Sequence, residues 1–208
     1  MVLFDFHYHH EQKRFGIYNP KHNEAFPNYS FSTGLHPKDL DQNSELYFDR
    51  IKNDAQSDFC VAIGECGLDA RIDVDMKIQE QYFFKHIELA NELQKPLIIH
   101  CVRKFDVLPK FKKAAKVPMI IHGFNKRKTI AEQMHQQGFY LSFGNAVFHN
   151  VSLQEIVKDF PIEKLFLETD DLDFDIDLLY EKTSLLKGIT KEELLEQILK
   201  NYETITNL

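Results

Sequence analysis

Histidines and carboxylates stand at the ends of short apolar runs along this 208-residue chain. His7 and His9 follow Met1–Phe4, Glu65 follows Cys60–Gly64, His100 follows Pro96–Ile99, and His122 follows Pro118–Ile121. A fifth run, Leu165–Leu167, ends in Glu168-Thr169-Asp170. Neutral imidazoles and carboxylates are ligands for divalent ions such as Zn, Mn, Mg, Fe or Ni rather than for soft thiolate metals. A lone His-x-His is a weak signal, and a single histidine is usually a hydrogen-bonded core or surface residue. Polar groups repeated at equivalent depth on five runs point instead to a metal centre, because burying them without an ion to pair them would cost several kcal/mol.

The runs are of strand length, are bounded by turn signals, and read as buried parallel strands. Strands are expected near 2–8, 29–35, 59–65, 96–101, 118–122, 138–143 and 164–169. Between them lie helical patterns. Over 79–94, Tyr82/Phe83, His86/Ile87, Leu89/Ala90 and Leu93 recur at helical spacing, which predicts an amphipathic helix lying on the sheet. Thr190-x-x-Glu193 is a capping box that opens a second helix through Leu194, Ile198 and Tyr202. Alternating strands and helices predict βαβ units and an α/β fold. No Gly-rich dinucleotide loop follows the first strand, and at least five strand ends supply polar groups. The expected architecture is a compact, distorted TIM (β/α) barrel over residues 1–208, with its last strand short or missing.

Alternation along the first strand puts Leu3, Asp5, His7 and His9 on one face and Val2, Phe4, Phe6 and Tyr8 on the other. His7 and His9 are then close enough to hold one ion together, and Asp5, a step deeper, is expected to hold a histidine N–H. The non-periodic stretch 10–28 follows this strand and reads as a lid or substrate loop, or else as a disordered surface loop.

Net charge is −7, from 25 basic and 32 acidic residues, which disfavours a broad basic face for duplex nucleic acid. The three cysteines, Cys60, Cys66 and Cys101, lack C-x-x-C spacing, so a reducing cytoplasmic setting is expected. No signal peptide or membrane-length apolar run is visible, and nothing points to an obligate protein partner.

Phe4-Asp5-Phe6-His7-Tyr8-His9, Gly34-Leu35-His36-Pro37, Gly64-Glu65-Cys66-Gly67-Leu68-Asp69, Ile98-Ile99-His100, Ile121-His122 and Glu168-Thr169-Asp170 follow one another in an order that resembles the TatD-type metal-dependent hydrolases. The resemblance covers nearly the whole chain. It implies an amidohydrolase-type barrel with two divalent ions: His7, His9 and Asp170 on one, His100 and His122 on the second, and Glu65 bridging. Asp170 would also be the base that orients the attacking water, with Glu65 beside it in catalysis. The implied activity is cleavage of phosphodiester bonds in DNA through a metal-bound hydroxide.

Other residues have two readings each. Arg103 could grip a phosphate oxygen or form a surface salt bridge. His36 could contact substrate or the leaving group, or serve a turn beside Pro37. Glu168 could support a ligand or pair with a lysine, and Cys66 and Cys101 read as core. No site role is read for His10, His22, His86, His135 or His149, with His10 the nearest to an exception.

The sequence departs from the family after Asp170. Asp171, Asp173, Asp175 and Asp177 follow where a Ser-Pro loop is usual, and they read as an acidic helix start that should repel a polyanion. Gly123-Phe124-Asn125-Lys126 replaces Cys-Phe-Ser-Gly, with Lys126, Arg127 and Lys128 as a cationic counterweight. Two alternatives to a DNase are therefore carried: a hydrolase of small phosphoesters or amides on the same site, and a metal-binding barrel without turnover.

Overall fold

The computed structural model describes residues 1–10, 15–21 and 24–206. Among these are eight strands, the first three following one another with no described helix between them and the rest separated by helices: β1 (Asp5–Tyr8), β2 (Gly16–Tyr18), β3 (Phe31–Thr33), β4 (Cys60–Asp69), β5 (Leu97–Val102), β6 (Met119–Ile121), β7 (Tyr140–Phe143) and β8 (Leu165–Leu167). The helices are α1 (Ser44–Asp54), α2 (Met76–Leu93), α3 (Leu108–Ala114), α4 (Lys128–Gln136), α5 (Ala146–His149), α6 (Val151–Asp159), α7 (Ile176–Lys187) and α8 (Lys191–Thr206). The fold class is α/β, as expected from the alternation. The chain divides into two compact units, residues 19–121 and residues 1–18 with 122–208.

In the unit of residues 19–121, β3, β4, β5 and β6 pair in parallel and in chain order. Pro96 and Pro118 stand just before β5 and β6, where a missing N–H costs the ladder nothing. Their carbonyls still accept, from Ile63 N–H and Leu97 N–H, at 2.9 Å each. The long strand β4 runs so close to β5 that two of its residues have no room for a side chain. A Cβ on Gly64 would lie 2.4 Å from the Ile98 carbonyl oxygen, and one on Gly67 2.1 Å from that of His100. Both also have φ near +140°, which only glycine adopts without strain. The glycines of Gly64-Glu65-Cys66-Gly67 thus set Glu65 against the strand that carries His100.

Helix α2 starts on Asp75, whose carboxylate accepts from Lys77 N–H at 2.7 Å. It buries Tyr82, Phe83, Ile87, Leu89 and Ala90, the face that the periodicity predicts. Phe83 meets Phe111 of α3 with ring centroids 4.6 Å apart. The same face buries two polar residues, Gln79 and His86. His86 accepts the Leu35 N–H at Nε2 (3.0 Å) and donates from Nδ1 to the Tyr82 carbonyl (2.7 Å).

In the unit of residues 1–18 with 122–208, β1 pairs in parallel with β2, and β7 with β8. A parallel bridge between Tyr8 and Asp170 joins β1 to the chain just beyond β8. Phe6 stacks on Phe166 at 4.2 Å, and the buried Tyr180 hydroxyl of α7 donates to the Phe4 carbonyl at 2.8 Å. Helix α8 carries the predicted capping box: Glu193 N–H donates to Thr190 Oγ1 at 3.1 Å, and Thr190 N–H donates back to Glu193 Oε2 at 2.8 Å. The acidic run ends as the predicted helix start, with Asp175 capping α7 and accepting from Asp177 N–H at 3.0 Å.

Seven strands were legible, and the last, β8, is short, with three residues, as expected; the strand that was not seen is β2. β2 lies inside the stretch read as a lid or surface loop, yet Gly16, Ile17 and Tyr18 are buried in it. Three residues are too few to show a period, so no pattern could announce this strand. Residues 11–14 and 22–23 of that stretch, including His22, lie outside the described residues.

Complete burial lowers the His86 pKa from 6.5 to about 4, outweighing the bond to the Tyr82 carbonyl, with nearby Lys85 pushing the same way. The unfolded chain therefore takes up a proton on this ring before the folded one does. Its contribution to stability is full above pH 6.5 and is lost as pH falls toward 4, a change of about 3 kcal/mol. Denaturant unfolding across pH 8 to 4 should show this slope in the wild type and a shallower one in His86→Met.

Candidate metal centre

In the unit of residues 1–18 with 122–208, the backbone brings three predicted ligands together. Asp170 N–H donates to the His7 carbonyl at 2.9 Å, and His9 N–H donates to the Asp170 carbonyl at 3.3 Å. That exchange sets the Asp170 side chain beside both rings. Asp170 Oδ1 lies 3.7 Å from His7 Nε2 and 3.6 Å from His9 Nε2, too far for hydrogen bonds. Two ligands held at about 2.1 Å from one ion lie about 3.0–3.4 Å apart, so this spacing suits a shared cation. Ligand atoms of His7, His9 and Asp170 all fall within 4.8 Å of one another. Asp170 also holds a left-handed backbone, φ +55°, which costs a non-glycine residue roughly 1–3 kcal/mol and is common where function fixes a side chain.

Asp5 holds the strand end beside Asp170. Its Oδ1 accepts Thr169 N–H at 2.9 Å and its Oδ2 accepts the Thr169 hydroxyl at 2.7 Å. The inward face of β1 reaches the neighbouring strand end, so Asp5 anchors the residue next to Asp170. His122 packs 4.6 Å from the His7 ring, and its Nδ1 lies 3.5 Å from Glu168 Oε1. Glu168 is fully buried and also accepts Gly123 N–H, so it supports the His122 segment, and among the described residues no lysine ion pair with it is seen. Ligand atoms of His122, Glu168 and Asp170 likewise lie within 4.8 Å. His10 Nε2 meets the Asp171 carbonyl at 3.1 Å.

In the unit of residues 19–121, His100 lies between two carboxylates. Its Nε2 is 3.1 Å from Asp69 Oδ2 and its Nδ1 is 2.9 Å from Glu65 Oε1. If Asp69 takes the Nε2 hydrogen, the Nδ1 lone pair faces a carboxylate oxygen. Two such atoms repel unless a cation is shared between them, so this pair too suits an ion. Asp69 is buried, which alone would raise its pKa. Hydrogen bonds from the Arg71 backbone, the Arg71 guanidinium and His100 hold it below its ordinary value instead.

His36 also reaches this group, with Nε2 3.4 Å from Glu65 Oε1 and its ring 4.3 Å from that of His100. Lys38 N–H donates to His36 Nδ1 at 2.9 Å, so the neutral ring carries its hydrogen on Nε2. On this tautomer Nε2 is a hydrogen-bond donor, and ligand atoms of His36, Glu65 and His100 lie within 4.8 Å of one another. Arg103, just beyond β5, is exposed with φ +57°. Cys66 and Cys101 are buried core residues, and burial, with Glu65 adjacent, raises the Cys66 thiol well above its usual value.

Against known proteins, residues 19–207 match the family model described as "TatD related DNase". The chain belongs to the TatD family. It is 32% identical over 149 residues to the uncharacterized metal-dependent hydrolase YcfH of Escherichia coli, covering 69% of this chain and 56% of that protein. With YabD of Bacillus subtilis, named in the same words, it shares 35% over 156 residues, covering 71% and 61%. A protein of Pantoea named 3'-5' ssDNA/RNA exonuclease TatD is 31% identical over 160 residues, covering 71% and 60%. The matched stretch thus spans little more than half the length of these relatives. The crystal structure of YjjV, a TatD homologue from E. coli, superposes with a TM-score of 0.85 at 20% identity over 100% of both chains. That of a TatD-family hydrolase from Entamoeba histolytica gives 0.80 at 16%, over 99% of this chain and 98% of that one. The fold is therefore the TatD one, of the TIM (β/α) type.

Within its unit His122 groups with Glu168 and Asp170, and sequence reasoning assigned no role to Asp69 or Thr169. For Asp69 the signal was available: Glu65, Gly67 and Asp69 share one face by alternation. A carboxylate that orients a ligating histidine is worth about 10–100-fold in metal affinity or activity. Asp69→Ala should weaken divalent-ion binding by about that factor in calorimetric titration, while its thermal unfolding in chelator stays cooperative.

Proposed function

We propose that this TatD-family chain is a binuclear metal-dependent hydrolase that cleaves phosphodiester bonds in DNA. His7, His9 and Asp170 would hold one ion, Glu65 and His100 would hold another, and His122 beside Glu168 offers a further donor, with Zn, Mn, Mg, Fe or Ni compatible with such donors. When bound, the ions supply Lewis acidity that polarises a phosphoryl oxygen and acidifies water. The observation that carries the reading is the exchange of backbone hydrogen bonds that sets Asp170 between His7 and His9. Asp170, with a side chain 37% exposed, can both ligate and accept a proton from water at the mouth of its group. His36 offers Nε2–H to a substrate or leaving-group oxygen, and Arg103 a guanidinium to a phosphate. DNA as substrate is supported by the family and by the exonuclease name of the Pantoea relative.

One observation favours a second reading. Asp171, Asp173 and Asp175 crowd the chain beyond Asp170, and Asp171 is exposed beside His9, at 3.9 Å. Negative charge there opposes a long polyanion and suits a small phosphoester or amide better.

Metal-loaded protein should degrade a single-stranded oligonucleotide, with activity abolished by chelation and restored by added divalent ion. Asp170→Asn should lower the rate by about 10²–10⁴-fold, and Glu65→Ala should reduce the bound metal. An intact oligonucleotide beside a cleaved small phosphoester or amide would move the assignment to the second reading. Stoichiometric metal with neither reaction would leave a metal-binding protein.

A further inference from the structure

One buried imidazole of α2 has no part in the proposed metal groups. His86 is fully buried, seven residues and two turns along the same helix face from Gln79. Each makes its hydrogen bonds to a segment that leads into the candidate centre. Gln79 takes the Asp69 N–H on Oε1 at 2.8 Å and donates from Nε2 to the Asp69 carbonyl at 3.1 Å and the Val74 carbonyl at 2.9 Å. His86 takes the N–H of Leu35, the residue before His36. A single neutral tautomer satisfies both of its bonds: Nδ1–H to the Tyr82 carbonyl and an Nε2 lone pair to Leu35 N–H. The Phe48 ring packs edge-on at 4.9 Å and helps to fix the imidazole plane. An apolar residue here would fill the core equally well, so packing alone does not call for histidine.

We infer that His86 is a positioning residue: by holding Leu35 N–H it fixes the segment that presents the Nε2–H of His36 to the substrate. Two backbone N–H groups flank this presentation. Leu35 N–H is held by His86, and Lys38 N–H is held by His36 Nδ1. The first sets where the segment lies, the second which nitrogen of His36 carries hydrogen. His36 Nε2 then faces Glu65 Oε1, with the His100 ring at 4.3 Å. Loss of the His86 acceptor would release Leu35 and widen the range of positions open to His36, while leaving every proposed metal ligand in place. The inference rests on the hydrolase reading, in which His36 meets substrate.

The test compares the full chain with His86→Met, which removes the acceptor, and His86→Gln, whose amide can accept from Leu35 N–H and donate to the Tyr82 carbonyl. Amide hydrogen exchange and the ring-nitrogen shifts of His36 are read by NMR, beside metal content and oligonucleotide kinetics. In His86→Met, Leu35 exchange should quicken about tenfold, the equivalent of one hydrogen bond, while Ile63 and Leu97 amides keep their rates. The His36 ring shifts should broaden or move, kcat should fall about tenfold with KM within about twofold, and bound metal should be unchanged. His86→Gln should restore all of these. The inference is overturned if Leu35 and His36 are unaltered in His86→Met, or change only together with Ile63 and Leu97. Metal loss in His86→Met would also overturn it, by assigning the effect to the ligands. Should His86→Met not fold, slow Leu35 exchange in His86→Gln supports the inference and exchange as fast as in an exposed amide contradicts it. If the wild type leaves the oligonucleotide intact, the nuclease reading falls, while exchange and ring shifts still decide the role of His86.

Discussion

A carboxylate or imidazole taken from water at a buried strand end is costly unless it meets a group of opposite demand. In both units of this chain, the ligand-type side chains meet that constraint by pairing imidazole with carboxylate. Asp170 stands against His7 and His9, Glu168 against His122, and His100 between Glu65 and Asp69. Several of these separations, near 3.5 Å, are longer than hydrogen bonds and close to the spacing of ligands around one ion.

The backbone carries the burden of placing these pairs. Asp170 reaches its histidines because its own N–H and carbonyl bond to the residues that bear them. Asp5 adds a second anchor through Thr169, one residue away. In the other unit, the glycines of β4 allow it to lie against β5, and Asn19 donates to both Ser32 Oγ and the Gly64 carbonyl at 2.8 Å. Rigid elements beneath and hydrogen-bonded strand ends above are the arrangement that holds a reactive geometry within fractions of an ångström.

Much of this was legible because burial leaves periodic traces. The apolar runs marked seven strands, and the spacing of Tyr82, Phe83, Ile87 and Ala90 marked the buried face of α2. The ligand candidates were visible because a polar residue directly after an apolar run breaks the pattern. What escaped lacked a period or depended on distant partners. β2 is three residues long and begins on a glycine. Asp5 has the right face by alternation, yet its partner, Thr169, is 164 residues away and could be found only in three dimensions. His86 looked like any polar residue in an amphipathic helix, since nothing local says that its acceptor serves Leu35, 51 residues earlier.

The central claim is that these imidazole–carboxylate groups bind divalent ions. Its most direct test is an anomalous difference map from crystals of the full chain grown with Mn²⁺. The account predicts strong peaks within bonding distance of His7, His9 and Asp170, and of Glu65 and His100. Full-occupancy crystals with no peak at either group, or with manganese held only by surface carboxylates such as Asp171 and Asp173, would contradict it.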